Sequence, residues 1–556
     1  MITLPRVPRF TSVAVLIACT TTACTRRGGC RVEYCGTLVF AGVGEVTSLL
    51  PPVSDASTDR DVFDQIFLRL ADLTPDGGTI GDSGFVPQLA QRWEWTDPLT
   101  LVFHLDPRAR WQDGPPVTAE DVAFTFTAYT DSAVNSANRG ALLAHLASVT
   151  AQDSLTAVFH FRDRYPEMFY DAVFHMRILP AHLLRNVPLA TWRTAEFGRA
   201  PVGAGPYRFV RWTPGQSLEL AADSGFFLGR PHLRRLIWRF ASDLNVAITQ
   251  VVAGEADAIE VLLSPTNIER ARNSGHLTLY PYAGPTYSFL RFNLRANGDS
   301  LRPHPIFADR DVRRALVLAT DRERMCQSVF AGNAKVPPGP IPQSWAWLWV
   351  PQLTVPAYDT AQAAQLLAAR GWRDSDGDGV RDRGGRKLSF HLSLPSTSPP
   401  RVQYGQLLQE ALKAVGVEVV IDQMEPATLQ ERLRVGGFDA ALESWFADPS
   451  PTSAAPAIWG TRGASNFGHY TSPTFDRQVA TASSATTPDA ARTSWIAAFG
   501  TLDQDAPGIM LFSVDNIAAV DSRVTDVQIR PDSWWALVRT WRIPPDKLNE
   551  RDRVGG

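Results

Sequence analysis

The chain has few cysteines, and their positions limit the classes of fold that it can adopt. Only five of its 556 residues are cysteine, and Cys19, Cys24, Cys30 and Cys35 all lie near the N-terminus. A scaffold held together by disulfides is therefore excluded, although Cys30 and Cys35 can pair in an oxidising compartment. Cys326 stands alone within a helical pattern and is predicted to be a small buried core residue.

The sequence also lacks an excess of charge of either sign. Its formal net charge is −3, and the basic residues are scattered along the chain. Nucleic acid is not an expected partner, because phosphate binding requires a concentrated positive surface. The length predicts three or four domain-sized units, and the hydrophobic fraction of 44% is ample for large cores.

Patterns typical of catalysis and of metal binding are missing as well. The ten histidines form no HExxH motif, and there is no GxSxG motif, P-loop or dinucleotide fingerprint. DSDGDG at 374–379 resembles the first half of an EF-hand loop, but its twelfth position is Gly385 instead of the glutamate that completes calcium coordination. We predict no catalytic residue, metal or cofactor; a secreted hydrolase stays open as an alternative.

The N-terminus has the pattern of a secretory signal. Arg6 and Arg9 precede an apolar run at 10–18. This run is far shorter than the roughly 20 residues that span a bilayer, so a transmembrane anchor is not expected. The rest of the chain contains no second long apolar segment and is predicted to lie outside the cytoplasm.

The four residues LIAC that end this run resemble the lipobox of bacterial lipoproteins, in which the cysteine is acylated. This resemblance predicts a signal peptide at 1–19, lipidation at Cys19 and a tether at 20–36. Acylation at Cys24 and a plain signal cut after Ala23 stay open.

Strand and helix patterns can be located in both halves of the chain. Alternating runs at 101–105 and 155–161 predict half-buried strands, and Thr118 is a plausible N-cap between them. The second half alternates strands at 388–394, 417–424 and 438–445 with helices at 402–415 and 427–435. Such a β-α-β-α-β series predicts the α/β class and a largely parallel sheet with helices on both faces.

A lone carboxylate follows the last of these strands. In ALESWFADPSP, Trp445 and Phe446 end the strand and Asp448 begins a Pro-rich loop. Open α/β sheets bind ligands outside the carboxyl ends of their strands. The two aromatics are therefore candidates for an apolar wall and Asp448 for a polar anchor. An ordinary Asp-Pro turn explains the same residues and stays open.

Eight segments in sequential order resemble family 5 of the bacterial extracellular solute-binding proteins, the oligopeptide and dipeptide receptors of ABC importers. The resemblance extends over roughly 38–515. The segments are PQLAQRWEW, LVFHLDPRARWQDGPPVTAEDVAFT, PVGAGPYRFVRW, VVAGEADAIE, SFLRFNLR, HPIFADRDVRRALVLATDRERM, YDTAQAAQLLAARGWRDSDGDGVRDRGGRKLSF and GGFDAALESWFAD.

The resemblance implies a two-lobed, periplasmic-binding-protein-like (Venus-flytrap) fold with an additional inserted subdomain. Ligand would bind between the lobes, which close over it. A hinge is expected near 282–286 and 511–515. Lobe I would combine 36–75, 200–284 and 515–556; the inserted subdomain of lobe I would span 76–199; lobe II would span 285–514.

The resemblance also implies a role for the carboxylate in the Pro-rich loop. In peptide-binding members, an aspartate three residues after the strand's tryptophan holds the α-ammonium group of the ligand, and Trp445 and Asp448 match that spacing. Two positions depart from the family pattern, because Ser444 stands where glycine is usual and Glu443 adds a second carboxylate.

Three further residues are candidate ligand contacts. Trp347 lies at the centre of WAWLW, a segment that in similar proteins follows a Pro-rich approach to the lobe interface. Asn466 and Tyr470 follow the loop of Asp448. Core packing of the tryptophans and ordinary turn roles for Asn466 and Tyr470 stay open.

The resemblance implies a monomeric, lipid-anchored extracytoplasmic receptor that binds small peptides and passes them to the permease of an ABC transporter. The same fold with another solute, such as an oligosaccharide, an opine or a metal chelate, stays open. So does a sensory or chaperone role without a permease.

Overall fold

The computed structural model describes residues 34–54, 56–74, 78–262, 264–350 and 352–553. The predicted signal peptide, with Cys19, Cys24 and most of the tether, lies outside these residues, as does Cys30. Cys35 is disulfide-bonded. Cys326 is buried on the helix Arg322–Phe330, as predicted. Within the described part of the chain, no helix combines the length and the apolar character needed to cross a membrane.

Lobe I is built on a seven-stranded mixed sheet. The strand at its centre, Thr37–Val43, is covered on both faces, which explains its continuous apolar run. Its alternate residues pack against the helix Ser57–Ile66 on one side and against Leu244–Val252 and Pro265–Arg272 on the other. In spatial order the strands are Leu277–Tyr282, Asn516–Asp521, Ala258–Ile259, Thr37–Val43, Arg235–Ala241, Ser217–Ala222 and Tyr207–Thr213.

The inserted subdomain carries a four-stranded antiparallel sheet, ordered Ala90–Asp97, Thr100–Leu105, Thr156–Phe161 and Leu146–Asp153. The predicted helix start is confirmed, because Ala119–Thr130 begins after Thr118, whose backbone N–H donates to the Asp121 carboxylate at 2.8 Å. The buried residues of the subdomain join those of lobe I in one hydrophobic core. Its other helices are Arg139–His145, Met168–Phe174 and Ala181–Leu184.

Lobe II is built on a six-stranded sheet whose strands all fall within the predicted segment 285–514, although the domain boundaries themselves stay a prediction. In spatial order they are Ala334–Lys335, Gly508–Val514, Thr286–Phe292, Ala440–Phe446, Ser389–Pro395 and Glu418–Met424. Its longer helices are Arg310–Leu318, Arg322–Phe330, Thr360–Ala369, Pro399–Lys413, Pro426–Arg434, Pro451–Trp459, Pro473–Ser484 and Pro488–Asp505.

The prediction of a largely parallel sheet is wrong for half of lobe II. Only Ser389–Pro395 and its two neighbours, which helices connect, run in parallel. Thr286–Phe292 carries the chain into the lobe and Gly508–Val514 carries it out, so these two strands are antiparallel. Ala440–Phe446 also runs antiparallel to Thr286–Phe292, which places Phe446 directly opposite Thr286. The loop of Asp448 therefore begins beside the crossing between the lobes.

Candidate functional site

A cavity of about 280 Å³ lies where the two lobes and the subdomain meet. Lobe I contributes the helix Ser57–Ile66 and the loop 531–534, the subdomain contributes the end of Met168–Phe174, and lobe II contributes the loop 446–449. Its volume is near the lower end of the roughly 300–1,000 Å³ found for small-ligand sites. A molecule held there contacts both lobes, as closure around a ligand requires.

The structure brings together three of the predicted site residues. Phe446, Asp448 and Trp347 all line the cavity. The indole N–H of Trp345 donates to the backbone oxygen of Asp448 at 2.7 Å, which ties the tryptophan segment to the loop. The Trp347 indole N–H has no acceptor among the described residues.

The Asp448 carboxylate is exposed and forms no ion pair with any residue that the structure describes. Tyr170 of the subdomain lies close to it, with a buried hydroxyl that has no hydrogen-bond partner in the described chain. Burial, and after it the negative charge of Asp448, raise the pKa of Tyr170. The sequence carried no signal for Tyr170, since the subdomain reaches Asp448 only through the tertiary fold.

The other three predicted contacts lie outside the lining of the cavity. Trp445 packs against the aromatic cluster of lobe II. Asn466 donates to the backbone oxygens of Gly460 and Tyr470 at 2.9 and 2.7 Å. The buried Tyr470 donates its hydroxyl to Asp505 at 2.6 Å. Asn466 and Tyr470 thus stabilise a turn, which is the alternative role that the sequence left open. Their contacts do not support a role at the cavity.

Glu443 and Ser444, the departures from the family pattern, also have structural partners. The Glu443 carboxylate forms an ion pair with Arg291, whose side chain is only 1% exposed. The Arg291 guanidinium lies 5.2 and 5.3 Å from the ring centres of Phe289 and Trp459. The Ser444 hydroxyl is 2.6 Å from that of Ser288 on the neighbouring strand. Glu443 therefore neutralises a buried cation of the same lobe.

A contact across the cleft holds the loop that carries Asp448. The buried Glu167 of the subdomain accepts a hydrogen bond from the Ser450 hydroxyl of lobe II at 2.6 Å and another from the Thr79 hydroxyl. Ile80, beside Thr79, packs into the aromatic cluster of lobe II. Burial raises the pKa of Glu167 despite these two donors.

Two acidic residues that the sequence did not single out line the cavity from lobe I. Asp61 and Glu260 are both partly buried, and neither forms an ion pair with a described residue. Burial raises the pKa of Glu260 to about 7, although Trp534 and Arg60 act in the opposite direction. Burial and the charge of Glu260 hold the pKa of Asp61 well above its usual range.

A third carboxylate in the same cavity shows the effect of pairing. Asp64 accepts hydrogen bonds from Arg177 at 2.7 Å and from Arg69 at 3.4 Å. Burial alone would raise its pKa, but the two guanidinium groups hold it at about 2. Asp64 is therefore neutralised by the protein, whereas Asp61 and Glu260 are not.

We expect Glu260→Gln to stabilise the protein above neutral pH. A carboxyl whose pKa is raised on folding contributes stability that is fully present below its unfolded pKa of about 4 and is lost as the pH rises through its folded pKa. The folded value for Glu260 is about 7. The variant avoids this loss, so its free energy of unfolding should exceed that of the wild type by about 1–3 kcal/mol at pH 8 and match it near pH 4.

Urea unfolding of both proteins at the two pH values measures this difference. Asp64→Asn is the matched control with the opposite sign, because the low pKa of Asp64 contributes stability above about pH 4. A Glu260→Gln variant that is less stable than the wild type at pH 8 would show that Glu260 has a stabilising partner.

No residue of the acidic loop at 374–379 belongs to the lining of this cavity. Carboxylate oxygens of Asp374, Asp376 and Asp378 lie within 4.8 Å of one another, and all three residues are exposed. Lys387 forms ion pairs with Asp376, at 3.6 Å, and with Asp378. The chain thus supplies a cation to this loop itself.

Comparison with known proteins shows where this architecture occurs. A family model described as bacterial extracellular solute-binding proteins, family 5, matches residues 84–467. Oligopeptide-binding protein AppA of Bacillus subtilis is 29% identical over 425 residues, which are 75% of this chain and 74% of that protein. Peptide transport periplasmic protein SapA of Salmonella typhimurium is 25% identical over 469 residues, 79% of each chain.

Solved structures share the two-lobed α/β fold. AppA from Bacillus subtilis in complex with a nonapeptide has a TM-score of 0.69 and 25% identity, with 92% of this chain and 99% of that chain covered. NikZ from Campylobacter jejuni in complex with Ni(L-His) has a TM-score of 0.70 and 22% identity, covering 91% and 99%. The family model alone spans well over half of the chain. The predicted fold class is confirmed, and this protein belongs to family 5 of the bacterial extracellular solute-binding proteins.

Proposed function

We propose that this extracytoplasmic solute-binding protein captures short peptides in the cavity between its lobes and delivers them to the permease of an ABC transporter. The observation that carries the proposal is Asp448, a carboxylate without an ion-pair partner in the described chain at the carboxyl end of a sheet strand, facing the cavity. AppA and SapA, which are similar over most of the chain, are peptide-binding and peptide-transport proteins.

A peptide supplies the groups that this cavity lacks. Its α-ammonium group offers the donors and the positive charge that Asp448 needs, and its carbonyl oxygens can accept from the Trp347 indole N–H. Closure of the lobes excludes water, which lowers the local dielectric constant and strengthens the ammonium–carboxylate pair.

A metal chelate is the second candidate, because NikZ, which shares the fold, was solved with Ni(L-His). One imidazole, that of His175, lines the cavity. Its Nε2 atom lies 3.0 Å from the Asp171 carboxylate, so Nδ1 is the nitrogen left to bind a metal, and one imidazole offers a chelated ion only one ligand. A peptide provides a cation for the Asp448 carboxylate and an acceptor for the Trp347 indole N–H, and it does so without a metal ion.

We further propose that the mature protein is monomeric and anchored to the membrane through a lipid on Cys19. The lipobox-like LIAC supports the anchor. Mass spectrometry of the mature N-terminal peptide distinguishes acylated Cys19 from acylated Cys24 and from an unmodified terminus.

Calorimetric titration with di- to pentapeptides tests the peptide-binding proposal. Each peptide is compared with its N-acetylated form, which has the same side chains but no α-ammonium charge. We expect free peptides to bind at least about tenfold more tightly, because acetylation leaves the Asp448 carboxylate unpaired in the closed site. Binding of no peptide would overturn the proposal. Equal affinity for both forms would show that the α-ammonium group of the peptide does not contribute to binding.

A further inference from the structure

We propose that Asp61 and Glu260 form a second cation site in this cavity, which selects peptides that carry a lysine or arginine side chain. The inference rests on the proposed peptide-binding function and names the class of peptide. It follows from the charged groups that line the cavity and from a buried hydrogen-bond donor, the indole N–H of Trp534, in the same lining.

The charges around the cavity do not balance. Asp64 is paired with Arg177 and Arg69. Asp532, which also lines the cavity, is paired with Arg530 at 2.8 Å. Within the described residues, the lining carboxylates left without an ion pair are those of Asp61, Glu260 and Asp448.

One positive side chain acts on the lobe I pair. The charge of Arg60 acts to lower the pKa values of both Asp61 and Glu260, but it does not outweigh the effect of burial on either carboxyl. The α-ammonium group of a peptide at Asp448 adds one positive charge on the lobe II side of the cavity. A second positive group on the same ligand would give the lobe I carboxylates, Asp61 and Glu260, the ion-pair partner that the described chain does not provide.

Buried indole groups point to an organic ligand. Trp534 lines the cavity and is only 3% exposed; its N–H group lies near enough to the Glu260 carboxylate to lower the pKa of Glu260, but it forms no hydrogen bond of good geometry with a described residue. Trp535, which is not part of the lining, acts on the Asp61 carboxylate in the same way, and its N–H group is also buried without a hydrogen bond of good geometry. A buried donor without a partner costs free energy unless a ligand supplies the acceptor. A carbonyl oxygen of a bound peptide can supply this acceptor to Trp534, which lines the cavity.

The surroundings of the pair favour a side-chain cation over a bare metal ion. Trp534 and the mostly buried Tyr282 provide aromatic surface beside the carboxylates, which suits a guanidinium or an ammonium on an alkyl chain. Indole N–H groups cannot coordinate a metal, and a calcium ion needs six to eight oxygen ligands. The Tyr282 hydroxyl donates to the Glu260 backbone oxygen at 3.4 Å. This bond ties Glu260 to the expected hinge segment at 282–286.

Matched tripeptides test the inference by calorimetric titration. The set contains trialanine and its single substitutions by arginine or by citrulline, which has the shape of arginine without its charge. We expect the wild type to bind the best arginine peptide at least about tenfold more tightly than its citrulline counterpart. In the double variant Asp61→Asn/Glu260→Gln this ratio should fall to near one, because neither side chain then carries a charge that distinguishes arginine from citrulline.

The control variant Glu269→Gln/Asp489→Asn removes two exposed carboxylates away from the cavity and should keep the arginine preference of the wild type. If trialanine binds but arginine and citrulline peptides bind equally, this inference fails and the proposed function stands. If no peptide binds, both fail. Heat from nickel or calcium chloride that the double variant abolishes, without an arginine preference, would identify a metal site instead.

Discussion

We expect Asp448→Ala to weaken the binding of free peptides by at least about tenfold in calorimetric titration. Truncating one partner of a buried, hydrogen-bonded charge pair costs about 2–5 kcal/mol, much of it from the charge that is left unpaired. The lower end applies here because Asp448 is exposed, so closure over a ligand has to desolvate it. The loss should appear mainly as faster dissociation, since contacts formed after encounter set the residence time.

Two comparisons separate the charge of Asp448 from its shape. Asp448→Asn keeps the volume of the side chain and should lose nearly as much affinity as Asp448→Ala. N-acetylated peptides should bind the wild type and both variants with similar affinity, because they carry no ammonium group. If Asp448→Ala leaves the affinity for free peptides unchanged, the ammonium group binds elsewhere.

Glu443→Ala is expected to lower the free energy of unfolding by about 3–5 kcal/mol, because it leaves the Arg291 guanidinium buried without a counter-charge. Arg291 is 1% exposed and packs among aromatic rings, where water cannot replace the carboxylate. Urea unfolding at neutral pH measures this change.

The double variant Arg291→Met/Glu443→Leu is the control for this prediction. It replaces both charges by apolar side chains, and such replacements are often neutral or stabilising, so most of the lost stability should return. A Glu443→Ala variant within about 1 kcal/mol of the wild type would show that water or another group compensates Arg291. Glu443 lies outside the cavity lining. The Arg291→Met/Glu443→Leu variant should therefore prefer arginine peptides over citrulline peptides as strongly as the wild type does.

Local sequence patterns located most of the secondary structure correctly. The strand predicted at 101–105 is Thr100–Leu105, and the helix predicted at 427–435 is Pro426–Arg434. These predictions succeed because periodicity, caps and helix-ending glycines depend on residues close together in sequence. Strand direction in lobe II was predicted wrongly, because the antiparallel pairs join strands that enter and leave the lobe through the hinge.

The site was predicted only in part. Asp448, Phe446 and Trp347 could be found because a strand end, a Pro-rich loop and a family resemblance marked them, and all three line the cavity. Asn466 and Tyr470 were predicted as ligand contacts because they follow Asp448 in sequence. Their side chains instead form hydrogen bonds to other residues of lobe II, Gly460 and Asp505.

The sequence by itself determined the α/β class, the family and the position of one carboxylate at the end of a strand. The tertiary structure alone decided which carboxylates acquire an ion-pair partner. Glu443 and Asp64 acquire arginine partners from distant segments, whereas Asp61 and Glu260 meet in the cavity with one arginine near both. Composition cannot reveal this difference, because whether a charge is neutralised depends on distances of a few ångströms between residues far apart in the chain.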